Sequence, residues 1–266
     1  MDPFTPKAGY GQDISNSILG TCHIIRLDEH RVLKKGHENA QEPATMQFIA
    51  ENTTIPVPKI YTTKSSRKKN ATDFVMEYIP GEPLDKAWKK LTHDQRVSTC
   101  SQLVGYLNQL RELPGKRIEA MNGTAVRIGW YDSLWDGPFD TENGFNDFQT
   151  KGADQRPGDS NHAIQSPGDN HAIHFAHGDL SPRNVMVDEG GHIIGLLDWE
   201  WAGWFPEYWD VVRMRLDLPS KKQMPQYAEL LRNTLPNTYD SEFSAMVQLQ
   251  PSGPGGVPVH PKPTLN

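Results

Sequence analysis

A chain of 266 residues with 33 acidic against 27 basic side chains, a formal net charge of -6, lacks the basic excess that marks nucleic-acid binders. Its two cysteines, Cys22 and Cys100, lie far apart and outside any CxxC pair, which argues against a disulfide framework or a zinc cluster and for a reducing compartment. The start MDPFTPKAGYGQD carries no basic-then-apolar leader, and no apolar run approaches the roughly 20 residues that span a bilayer, so a cytoplasmic protein of one or two compact units without membrane partners is expected.

Residues 1–15, with Pro3, Pro6, Gly9 and Gly11, predict a flexible N-terminal arm. ILG at 18–20, HIIRL at 23–27 and RVL at 31–33 are short aliphatic runs between polar turns, and they predict a small antiparallel sheet. Lys34 ends the third run, where an ammonium reaching in from a strand can bind phosphate; from the strand alone, a plain surface lysine is the favoured reading. Glu42 opens the helical pattern EPATMQFIAENT, in which Pro43 is tolerated because it sits in the first turn. A capping box with Asn39 is one use for Glu42. IPVPKIY at 55–61 and DFVMEYIPGE at 73–82 predict two further strands around KSSRKKN, which reads as a solvated hairpin tip in preference to a polyanion patch.

From Thr92 the pattern turns helical. Thr92 and Gln95 have capping-box spacing, and Val97, Cys100, Val104 and Leu107 recur on one face beside Leu103 and Leu110 until Pro114 and Gly115. Cys100 is therefore read as core. Between Gly129 and Thr150 there is no Lys or Arg, while acids alternate with Trp130, Tyr131, Trp135, Phe139, Phe145 and Phe148. Such a stretch can hold an amine by charge and cation–π attraction. The favoured reading is that the aromatics pack and the acids face water. PGDSNHAIQ at 157–165 and PGDNHAIHF at 167–175 are near copies, too few for a solenoid and read as a duplicated surface insertion.

The most informative run is His177 to Asp198. HGDLSPRN, the strand-like VMV, the turn cluster Asp188–Gly191 and HIIGLLDWE predict a hairpin that returns Asp198 to the end where Asn184 stands. Phosphoryl transfer asks for a carboxylate to orient the attacking hydroxyl and hard oxygen ligands for the magnesium on the phosphates. Asp179, Asn184 and Asp198 supply those groups, and the five-residue step from Asp179 to Asn184 matches a kinase catalytic loop.

On HGDLSPRN and DWEWAGW the chain resembles the aminoglycoside phosphotransferase and choline kinase family of small-molecule kinases, especially a fungal branch of it. The resemblance runs from about Ile18 to Asp210. It implies an α+β, two-lobed protein-kinase-like fold: a small antiparallel β N-lobe with one helix (16–80), and a mainly helical C-lobe carrying the catalytic hairpin (81–250). It further implies that Asp179 is the catalytic base and that Asn184 and Asp198 hold Mg2+. Lys34, preferred to Lys35 because it follows two apolar residues just before the Gly, would grip the phosphates of ATP, aimed by Glu42. FVMEYIPGE resembles the hinge between lobes, where the backbone of Glu77 and Ile79 would bond the nucleotide base and Met76 would line its pocket. His177 and Asp210 would brace the catalytic loop, and Glu200 is set aside as a metal ligand. One departure is that only Gly20 followed by Thr21 stands where a Gly-rich loop belongs.

Asp210 stands only twelve residues past Asp198, too close for the activation segment that supports a peptide substrate. The expected activity is thus transfer of the γ-phosphoryl of ATP to a hydroxyl of a small molecule, with an amine-bearing acceptor in view. A protein kinase is the weaker alternative, and a catalytically silent kinase-like binding module is the other. Helical runs at Tyr227–Leu235 and Ser241–Gln250 precede residues 251–266, whose five prolines and three glycines predict a disordered tail.

Overall fold

The computed structural model describes residues 2–15, 22–35, 40–65, 71–128, 134–154 and 168–249. In chain order the elements are β1 (His23–Arg26), β2 (Arg31–Lys35), α1 (Glu42–Asn52), β3 (Ile60–Ser65), β4 (Thr72–Glu77), β5 (Glu82–Pro83), α2 (Leu84–Ala87) and α3 (His93–Arg111). There follow β6 (Glu119–Ala120), β7 (Val126–Ile128), β8 (Leu134–Asp136), α4 (Glu142–Asp154), β9 (Ile173–Ala176), β10 (Val185–Val187) and β11 (Ile193–Leu196). Last come β12 (Gly203–Pro206), α5 (Trp209–Leu216), α6 (Tyr227–Thr234) and α7 (Asp240–Leu249). Two compact units divide the chain: Met1–Gln109 with Pro182–Ala202, and Leu110–Ser181 with Gly203–Asn266.

The first unit is built on an antiparallel sheet of order β1-β2-β4-β3. Its register pairs Val32 with Met76, Leu33 with Val75 and Lys34 with Phe74. Directly paired side chains share a face and neighbours alternate, so Leu33 and Val75 turn one way while Val32, Lys34, Phe74 and Met76 turn the other. Leu33 and Val75 join Leu27 in a buried cluster against which Phe4 and Ile25 pack. Part of the expected arm pairs with β1. Lys7 and Gly11 donate backbone hydrogen bonds to Leu27 and Arg26, and Ile14 donates to Ile24, which lays residues 7–14 along β1. Such pairing uses only main-chain groups, which side-chain periodicity does not report.

β3 begins at Ile60, five residues later than IPVPKIY predicts. Pro56 and Pro58 have no N–H to give a ladder. Instead, the Pro56 carbonyl accepts from the Leu196 N–H, tying this segment to β11. The run ILG at 18–20 and most of KSSRKKN lie outside the described residues.

α3 carries the expected capping box: Thr92 N–H donates to Gln95 Oε1 at 2.8 Å, and Gln95 N–H donates to Thr92 Oγ1 at 3.3 Å. Cys100, Leu103, Val104 and Leu107 are buried, whereas Val97, placed by periodicity on the same face, is 40% exposed. β10 and β11 form the anticipated hairpin, joined at its outer edge by β5. Its turn is closed by Asp188, whose Oδ1 accepts from the N–H groups of Gly190 and His192. Thr99 Oγ1 donates to the Gly191 carbonyl at 2.7 Å, pinning the turn to α3.

The second unit has a sheet of order β6-β12-β9, a β7–β8 hairpin and helices α4 to α7. Phe145 of α4 is fully buried against Phe205 and Trp209, whose rings stack at 4.9 Å, and Phe139 and Phe148 pack beside it. Asp136, Asp140 and Asp147 are exposed, so these aromatics serve packing and these acids face solvent. Trp130, Tyr131 and Asp132 lie outside the described residues. The second repeat copy, described from Gly168, docks on α4 and α7. His171 Nδ1 is 2.8 Å from Glu142 Oε1, and its Nε2 is 3.3 Å from Glu242 Oε1.

Candidate active site

In the first unit the local folding rules converge on Lys34. β2 delivers it to the face it shares with Met76, and α1 begins with Glu42, which is 2% exposed. The hairpin sets Val185 opposite Leu196, and the Leu197 N–H donates to the Asn184 carbonyl, so Asn184 and Asp198 stand at one end. Asp198 itself adopts a left-handed backbone, φ 68° and ψ 61°. That conformation is strained by about 1 kcal/mol for an L-residue, least so for Asp and Asn.

The Lys34 ammonium lies 2.8 Å from Glu42 Oε1, 2.7 Å from Glu42 Oε2 and 2.7 Å from Asp198 Oδ1. Its three donors thus have three carboxylate oxygens. Lys34 is 5% exposed, so burial by itself would favour the neutral amine. The opposing charges of Asp198, Glu42 and Glu200 outweigh burial and hold the lysine pKa well above its ordinary value. Burial pushes the Glu42 carboxyl up to about 7; Lys34 pulls it down, and Asp198 and Glu200 add to the rise.

Glu200, set aside on sequence, joins this cluster: ligand oxygens of Glu42, Asp198 and Glu200 all lie within 4.8 Å of one another. Trp201 Nε1 donates to Glu200 Oε1 at 3.0 Å. The signal was present in the spacing Asp-x-Glu of DWE, but the turn at Trp199–Trp201 that folds Glu200 back follows from the left-handed Asp198. Cys22 stands near enough to feel the same charges. Burial raises its thiol to about 11, with Lys34 opposing and Asp198 and Glu42 adding.

Met76 is buried on β4. The Glu77 N–H is taken by the Lys59 carbonyl and the Tyr78 N–H by that of His30, which ends the ladder. Ile79 follows, half-buried, and its N–H takes no partner among the described residues. The capping alternative for Glu42 falls on Asn39, outside the described residues, and its carboxylate goes to Lys34 instead.

In the second unit Asp179 sits half-buried in a loop organised by α5. Asp210 Oδ2 accepts from the His177 N–H at 2.9 Å and its Oδ1 from the Gly178 N–H at 2.8 Å. Gly178 has φ 80°, a backbone suited to glycine, and its carbonyl accepts from Arg213 Nε at 3.3 Å. His177 Nδ1 accepts from the Asp179 N–H at 3.3 Å, and the Asp179 carbonyl accepts from Ser181. Burial raises the Asp210 carboxyl, and His177 together with the two loop N–H groups opposes the rise.

A buried lysine held by a helix glutamate over a small sheet, followed by a hairpin ending in Asn184 and Asp198, is the layout of a protein-kinase-like fold. Solved structures agree. The GDP complex of wild-type aminoglycoside 2'-phosphotransferase-IIIa superposes with a TM-score of 0.63 at 12% identity, covering 90% of this chain and 82% of that one. The streptomycin–ATP ternary complex of APH(2")-IIa does so with a TM-score of 0.55 at 13% identity, covering 89% and 81%. A sequence profile of the phosphotransferase enzyme family (APH) matches residues 23–242, and the chain belongs to that family. It is also 24% identical over 220 positions to the clavilactone A biosynthesis cluster protein Y of Ampulloclitocybe clavipes, covering 69% of this chain and 54% of that protein. The chain therefore spans about half the length of that curated relative.

Proposed function

We propose that this protein transfers the γ-phosphoryl of ATP to a hydroxyl of a small molecule. The observation that carries the reading is the ammonium of Lys34 buried between Glu42 and Asp198. A lysine is rarely placed so deep without paired charge, and here its partners leave it ionised and fixed for phosphate.

The donor set also fits a hard divalent cation. The Asp198 carboxylate and the Asn184 amide offer oxygen ligands, and Glu200 supplies a further carboxylate within reach of Asp198. Mg2+ held by Asn184 and Asp198 would supply neutralisation of the charge on the phosphates. Lys34, aimed by Glu42, grips phosphate oxygen. The Ile79 N–H and the backbone of Glu77 hold the base, and Met76 lines its pocket. Asp179 accepts the proton of the acceptor hydroxyl as that oxygen forms its bond to phosphorus and the bond to the β-phosphate oxygen breaks, releasing ADP. Asp210 keeps the loop of Asp179 in place through its two main-chain bonds.

The comparison complexes hold either GDP or ATP, and one holds an aminoglycoside. An amine-bearing acceptor is the corresponding proposal for this chain. The test is in two parts. Mg·ATP is expected to raise the melting temperature more than Mg·GTP, and Asp198→Ala to abolish the shift; no shift at millimolar nucleotide would sink the nucleotide site. Turnover of ATP is then followed over amino alcohols and aminosugars, with Asp179→Asn expected to lose it. Nucleotide binding without any turnover would leave a silent binding module.

A further inference from the structure

Away from these residues, the second unit contains a cavity of about 450 Å3 between the end of α5, the loop that follows it and α6. Its volume lies in the ordinary range for small-ligand sites, roughly 300–1,000 Å3. Leu218, half-buried, gives it an apolar wall, backed by the buried Leu231 and Leu235. The polar side chains around it are mainly cationic: Arg215, Lys221 and Arg232, with Glu229 as the one acid in the lining.

These cations are unequally answered. Arg215 is fixed: its Nη1 donates to the Thr238 carbonyl and lies 2.9 Å from Asp240 Oδ1, and its guanidinium stands 3.9 Å over the Phe243 ring. Lys221 and Arg232 are exposed and form no ion pair among the described residues. Burial lowers the Arg215 pKa, Asp240 opposes that, and the neighbouring Arg232 charge adds to the lowering, so the two guanidinium groups feel each other. An anion beside Arg232 would offset that repulsion.

We infer that this cavity binds a small anion carried on an apolar body, of which a medium-chain carboxylate is the simplest case. The acidic head meets Arg232 and Lys221 at the rim, and the apolar body covers the leucines. A plain inorganic anion leaves the lining wet, and a cationic amphiphile meets like charge. The occupant would sit at the end of the helix that braces the catalytic loop, since Asp210 and Arg215 lie on α5 about 7.5 Å apart along its axis. Neither the nucleotide nor the acceptor of the proposed transfer is involved.

Isothermal titration of the full chain with octanoate, acetate and octylammonium tests this. Octanoate is expected to bind with a dissociation constant below about 1 mM, while acetate and octylammonium do not. Lys221→Glu with Arg232→Glu, both exposed, should weaken octanoate at least about tenfold. Ala228→Trp, on the exposed lining, should block binding by filling the space while leaving every charge in place. Equal binding of octanoate and octylammonium, an unchanged octanoate affinity in either variant, or no octanoate binding at millimolar concentration would each overturn the inference.

Discussion

Lys34 Nζ stands 2.7 Å from Asp198 Oδ1 across 164 residues of sequence, and it is the cation of a cluster whose other members, Glu42 and Glu200, are also acids. Removing it leaves buried carboxylates facing one another. Breaking a buried pair in this way typically costs about 3–5 kcal/mol, and the lower end applies because Asp198 is partly exposed. Lys34→Met should therefore lose about 3 kcal/mol of unfolding free energy in urea. Adding Asp198→Asn to that variant should recover part of the loss, because it removes the carboxylate left without its cation. A double variant no better than the single would show that packing, not charge, is what Lys34 contributes.

Asp210 offers a sharper case, since both its oxygens accept main-chain N–H groups of the loop that carries Asp179. An asparagine in the same place has one acceptor, and its amide would face an N–H. Asp210→Asn should destabilise by about 1–3 kcal/mol through the unpaired donor. It should also loosen the amides of His177 and Gly178, read as faster hydrogen exchange there than in β10. Unchanged exchange at those two amides would remove the bracing role.

Gly191 holds a second local constraint. Its φ is 79°, and a Cβ at that position would come within 2.9 Å of Thr99 Oγ1, the group that anchors the hairpin turn to α3. Gly191→Ala should lose about 1–2 kcal/mol from backbone strain alone. Thr99→Ser, which keeps the hydroxyl but drops the methyl, is expected to be much milder. Equal losses in the two variants would contradict a backbone origin.

How much of this was legible in sequence depended on whether a residue's role was set locally. The hairpin around Asp188–Gly191 and the capping box of Thr92 and Gln95 follow from turn and cap chemistry within a few residues, and both formed as read. The placement of residues 7–14 along β1 rests on main-chain pairing, which leaves no mark in side-chain pattern, so Pro and Gly suggested a loose arm. Val97 fell on the apolar stripe of α3 yet stands in solvent, because periodicity marks a face and not how far along the helix that face is covered. Glu200 entered the cluster through the left-handed turn at Asp198, a backbone state that the residue type permits but does not announce.

The same cluster gives stability a pH dependence with a defined sign. The Glu42 carboxyl is raised by burial from 4.5 to about 7 in the folded chain, so between those limits the folded state binds more protons than the unfolded one. Stability carried by protonated Glu42 is then fully present below about 4.5 and lost as pH rises to about 7. Lys34 stays charged in both states over this range and adds no slope there. Taken as a difference from Glu42→Gln, the wild-type unfolding free energy should fall by up to about 3 kcal/mol between those limits and stay level above pH 7. A difference that rises with pH would mean that the lysine wins and holds Glu42 ionised.

Thiol chemistry reports on the same electrostatics from a different side chain. Burial raises Cys100 to about 12, and raises Cys22 to about 11 with the carboxylates of Asp198 and Glu42 adding to the rise. Since the thiolate is the reactive form, at pH 8 only roughly one Cys22 in a thousand is reactive, against roughly a quarter of an unperturbed thiol with a pKa near 8.5. Alkylation of the native protein should thus be slower than that of the denatured chain by about two orders of magnitude, with Cys100 slower still because it is 1% exposed. Asp198→Asn removes a charge that disfavours the Cys22 thiolate, so it should speed alkylation of Cys22 and leave Cys100 as it was. Mass spectrometry of the two peptides distinguishes them, and an equal change at both would point to general loosening and not to the charge of Asp198.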